Sequence, residues 1–150
     1  MKTDREDILD LFDYAWERFR DRMAGLGDDE WRWQPTKDDD LGLRWRLAHI
    51  AHLLGEDRNG PWLGLPAQDT DPTEAVGAAA ALAKADRAYA RWRGQLAAVT
   101  DDDFGQPIGA VGGPYGDGTR RSFALHIVDE LIHHTAEAAL FRDLYADAAG

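Results

Sequence analysis

The chain has no cysteine, which excludes disulfides, a thiolate-held zinc and a cysteine nucleophile. Bases are scarce beside acids: 17 Lys and Arg stand against 28 Asp and Glu, for a formal net charge of -11. Such a surface repels phosphate backbones, so nucleic acid is not an expected partner. The acidity itself serves solubility. No stretch is long and apolar enough for a membrane span, and "MKTDREDILD" has too few apolar residues for a signal peptide. No "GK" followed by Ser or Thr is present, so there is no phosphate loop. These absences point to a cytoplasmic protein whose chemistry rests on His, carboxylates, hydroxyls or a bound cofactor.

The 150 residues suit one domain, 1–150, able to bury about 70% of its unfolded surface. A hydrophobic fraction of 44%, with six Trp, can fill that core. Apolar residues at three- and four-residue intervals, Ile8, Leu11, Phe12, Ala15, Trp16, Phe19 and Met23, predict a helix from Asp4 to Ala24. "GLGDDEWRWQPTKDDD" breaks the pattern with Gly, Pro and acids. A second helix is predicted from Leu43 to Glu56.

The Gly- and Pro-rich "DRNGPWLGLPAQDTDP" then reads as a long loop, with Asp71 and Pro72 as cap and first turn of a third helix running on through "EAVGAAAALAKADRAYARWRGQLAAV". "TDDDFGQPIGAVGGPYGDG" reads as a second long connection, in which "QPIGAVGG" could form a short hairpin but its glycines favour a loop. Thr119 or Ser122 starts the fourth helix, predicted to reach Ala146. The expectation is an all-α four-helix bundle with long connections between helices 2 and 3 and helices 3 and 4.

All five histidines fall on two of these helices. In "LHIVDELIHHTA", residues four apart differ by only about 40° around the axis, so His126, Glu130 and His134 form one column. His133 and Asp129 lie about a quarter turn aside. Ile127, Leu131, Ala138 and Phe141 border the column and turn part of it inward. A Glu and a His four apart can share a divalent ion, or they can be an ordinary surface pair. His49 and His52, in "WRLAHIAHLLGE", can complete such a site or sit as core or boundary residues. Trp31, Trp33 and Trp62 either plug the bundle end or wall a pocket, and Tyr115 lies just before the fourth helix.

Together "LRWRLAHIAHLLGE" and "FALHIVDELIHHTAEAALFRDLY" resemble the DinB/YfiT-like superfamily of metal-binding four-helix bundles, most closely the branch that includes mycothiol-dependent maleylpyruvate isomerases. The resemblance implies three ligands: His49 from "LAHIA", and Glu130 and His134 from "ELIHH". Many superfamily members carry His where this chain has Glu130, whereas the isomerase-like branch carries Glu. His52 is the competitor for His49. His126 is implied as a hydrogen-bonding neighbour of the ligands, an alternative ligand or a proton donor, His133 as a rim residue, and Glu137 as acceptor of the spare N–H of His134.

The implied cofactor is a divalent metal, zinc foremost, with nickel, manganese or iron open. With no cysteine of its own, the chain would take a low-molecular-weight thiol of the mycothiol or bacillithiol type and transfer it to, or use it to isomerise, a small electrophilic substrate; hydrolysis ranks behind. A homodimer is implied, and Arg142 and Asp143 in "FRDLY" fix helix packing or a dimer contact. A non-catalytic metal-binding sensor or interaction protein, and a structural helical dimer without metal, are the alternatives.

Overall fold

Thr3 begins the first helix, α1 (Asp4–Met23), by a capping box: its side chain accepts from the Glu6 amide while Glu6 accepts from the Thr3 amide. The computed structural model describes residues Met1 to Gly150 and holds seven α-helices and one 3-10 helix, with no strand. Four are long: α1, α3 (Leu43–Gly55), α5 (Ala78–Ala98) and α7 (Arg120–Ala149). The short ones, α2 (Asp28–Arg32), α4 (Asn59–Trp62), α6 (Asp101–Phe104) and the 3-10 helix Ala110–Tyr115, lie in the connections. An expectation of four helices therefore counts only the long ones.

The four long helices pack in a ring, α3 against α5 and α7, and α1 against α7 and α5. One cluster of 32 buried apolar residues fills the centre. Trp92 joins its layers, 5.6 Å from Phe12 and edge-on to Phe123 at 5.9 Å. Trp16 stacks flat on Tyr89 at 4.4 Å. A fully buried apolar side chain such as Phe12 contributes about 1.5–3 kcal/mol by leaving water. No helix is long and apolar enough to cross a membrane.

Where the sequence predicts a helix from Asp71 and Pro72, α5 begins only at Ala78. Asp71 instead accepts from the Thr73 amide in a local turn and pairs with Arg87. The cap of α5 comes from elsewhere: Asp28 of α2 accepts from the Ala78 amide at 2.9 Å. A Cβ at Gly77 would stand 2.8 Å from that carboxylate oxygen, so the approach requires glycine. Thr119 does cap α7, accepting from the Ser122 amide, and the helix runs on past Ala146 to Ala149. The "QPIGAVGG" segment forms no hairpin, only an isolated bridge between Pro107 and Thr119.

The connection between α1 and α3 is also long, and it is ordered by side chains. Trp31 is 3% exposed and closes that end of the core. Glu30 accepts two hydrogen bonds from Arg142 of α7, whose guanidinium also donates to the carbonyls of Arg22 and Ala24 at the end of α1. Asp143 accepts from Arg22. Arg142 and Asp143 thus both serve packing within the chain. Trp33 meets Tyr145 edge-on at 5.5 Å.

Candidate metal centre

His134 is the buried member of the site, 9% exposed on the inner face of α7. Its ring has a different neighbour at each nitrogen: Nδ1 is 2.8 Å from Glu137 Oε1, and Nε2 is 3.3 Å from Glu130 Oε2. Across the α3–α7 seam, His49 meets His134 with ring centroids 4.3 Å apart at 73°. One donor atom each from His49, Glu130 and His134 lies within 4.8 Å of the others. The i, i+4 spacing on α7 aligns Glu130 with His134, and the packing of α3 supplies the third donor.

Glu137 braces the His134 ring from the side away from Glu130. Burial works against its charge, but hydrogen bonds from Arg46 and His134 outweigh burial and hold its carboxyl below the usual range. Glu137 Oε1 occupies the Nδ1 side of His134, so Nε2 is the nitrogen that faces Glu130. Burial first, and then the neighbouring His134, hold His49 below the ordinary histidine range, which favours the neutral, ligating form. Two imidazole rings and a carboxylate thus converge, each with one ligand atom within 4.8 Å of the others. A divalent cation takes two imidazole nitrogens and a carboxylate oxygen together, so the donor set fits such an ion.

Outer contacts brace this arrangement. The buried Arg46 of α3 donates to Glu137 Oε2 at 3.0 Å and to the Asp40 carbonyl. Its guanidinium lies 4.6 Å over Trp45, and Trp45 stacks on His49 at 4.6 Å and 9°. Nothing in the sequence marks Arg46 or Trp45 as neighbours of the site beyond their place in "LRWRLAHIAHLLGE". The visible signal is position: Arg46 lies three residues, and Trp45 four, before His49.

The remaining histidines lie outside the donor cluster. His52 has a 68% exposed side chain, pairs with Glu56 at 3.2 Å, and lines a groove between α3 and α5. His126 is exposed and lines a groove of about 530 Å³ with Arg58, Trp62, Pro114 and Tyr115. It does not join the column's two upper members at the cluster, because helical phase sets direction but not what stands opposite. His133 is 63% exposed and lies 3.3 Å from Glu137; with His134 and Glu137 it makes a second, outward-facing donor group. Of the tryptophans, Trp31 is an end plug, while the half-buried Trp62 packs on Phe123 at 5.0 Å.

Comparison with known proteins agrees with this geometry at the level of the superfamily. The family model of the DinB superfamily matches residues 11–138. No curated protein and no solved structure matches the chain.

Proposed function

The chain belongs to the DinB superfamily, and from that premise we propose that it is a divalent-metal enzyme with His49, Glu130 and His134 as ligands. The observation that carries the reading is the convergence of three potential ligand atoms within 4.8 Å while Glu137 occupies the Nδ1 side of His134. Zinc suits two imidazoles and one carboxylate; nickel, manganese and iron take the same donors. The reaction we favour is activation of a low-molecular-weight thiol, of the mycothiol or bacillithiol type, for transfer to or isomerisation of a small electrophile. A cysteine-free chain must receive its thiol from outside, and a cytoplasmic location is part of the same proposal.

When bound, the ion supplies Lewis acidity that brings the pKa of a thiol or water towards neutrality. The chain's own residues do the rest. Glu137, 2.8 Å from Nδ1 of His134, fixes the ring's direction. Arg46 holds Glu137 in its ionised form. Trp45, stacked on His49, shields one side of that ring from water.

The test is elemental analysis of protein purified without tag or added metal. About one ion per chain, lost in both His49→Ala and His134→Ala, is the expected result. Absence of metal after reconstitution with several dications would end the proposal. A non-catalytic metal-binding role is the second reading, favoured by one observation: the grooves of about 570 and 530 Å³ are lined by none of the three donors. Thiol consumption with a panel of electrophiles separates the two readings.

A further inference from the structure

Acid partners are plentiful in this chain, and most bases have one within 4.0 Å. Arg18, Arg32, Lys37, Arg44, Lys84 and Arg91 do not. Three of these, Arg44, Lys84 and Arg91, line one groove of about 570 Å³. It lies between α3 and α5 beneath residues 70–75 and exists because the facing side chains are short: Ala51 and Gly55 on one side, Ala81 and Ala88 on the other. That volume falls in the range of small-molecule sites.

The charge balance reverses inside it. Arg44, Lys84, Arg87 and Arg91 face Asp71 and Glu74, in a chain whose acids otherwise prevail. Asp71 is taken by Arg87 at 2.9 Å. Lys84 donates to the Thr73 carbonyl, and Arg91 to those of Gln68 and Gly55, contacts that hold the overlying segment but neutralise no charge. Arg44 lies 5.2 Å over the ring of Trp31. His52, outside the metal-donor cluster, lines the same groove.

We propose that this groove is a binding site for a small dianion bearing carboxylate or phosphate groups. Arg44 and Lys84 meet the charged groups, and the alanine floor carries the ligand's apolar part. Arg91 tethers the roof. The site faces α5, whereas the donor cluster lies on the α3–α7 seam, so the proposal stands apart from the metal reading.

Succinate and glycerol 3-phosphate, dianions that chelate metals weakly, are the probes, titrated calorimetrically into the purified chain in about 0.15 M salt, where distant surface charges are screened. Saturable binding is expected, weakened about tenfold or more in Arg44→Gln/Lys84→Gln, as loss of charge-assisted hydrogen bonds requires. Arg18→Gln/Lys37→Gln removes the same charge elsewhere and should leave binding within about twofold, since screened distant charges contribute little. His49→Ala should bind as the wild type does. Binding of one probe alone assigns the site to carboxylates or to phosphates. No saturable binding of either, equal weakening in the control pair, or loss of binding in His49→Ala would each overturn the proposal.

Discussion

At His134 the neighbour on the Nδ1 side fixes how the ring faces the donor cluster, and that neighbour is Glu137. Glu137→Gln keeps an acceptor but drops the charge that Arg46 and His134 share. Metal affinity should fall about 10–100-fold, read by competition with a chelator, while the helical circular dichroism is unchanged. An unaltered affinity would show that the carboxylate has no hold on the ligand ring. Elsewhere, Arg93 hydrogen bonds hold the Asp13 carboxyl below its usual range, with burial opposing and Tyr89 assisting. A depressed carboxyl stabilises the fold above its unfolded pKa of about 3.9 and loses that contribution as pH falls through the folded value. The stability gap between wild type and Asp13→Asn, measured by urea denaturation, should therefore be widest near neutral pH and close below about pH 4. At this scale the sequence is legible for Glu130 and His134, whose spacing alone aligns them. It leaves His49 and His52 unresolved because they share a helix and a context. Only the packing of α7 separates them, although Glu56, four residues after His52, is the surface partner that spacing allows.

Among the elements, α1 and α7 follow local signals: each has a Thr cap directly before its apolar repeat. The start of α5 does not, since its cap is Asp28, far away in sequence, and Asp71–Pro72 imitates a start that is used as a turn. No local pattern can reveal a cap donated by another helix. Asp28→Ala should lower stability by about 0.5–2 kcal/mol, as loss of a cap does. Urea unfolding measures it, and hydrogen exchange should show faster exchange at the first turn of α5 before the rest of the chain. A uniform change across all helices would mean that Asp28 does something other than cap. The short helices were equally hidden: α2 is held by Trp31 and the Glu30–Arg142 pair, contacts that become visible only once α7 is in place.

For the whole molecule, hydrophobic periodicity and the absence of strand patterns were sufficient for the all-α class, because one cluster of buried side chains is shared by all four long helices. Association is a separate matter. Helix α7 leaves Leu140 and Leu144 exposed, one turn apart, and a homodimer through this face is our expectation. Leu140→Asp should convert a dimer to a monomer in sedimentation equilibrium with the fold intact; a dimer that survives would place the contact elsewhere. The bonds that run from the Asp40 carbonyl through Arg46 and Glu137 to His134 join the connection before α3 to the donor cluster. Coupling through such a chain of bonds is reciprocal: if an ion at the donor cluster tightens these bonds, it steadies the segment around Asp40, and loosening that segment weakens the hold on the ion. Amide hydrogen exchange at the backbone ahead of α3 should then slow when metal is added, and unchanged exchange there would show that these bonds carry no such coupling.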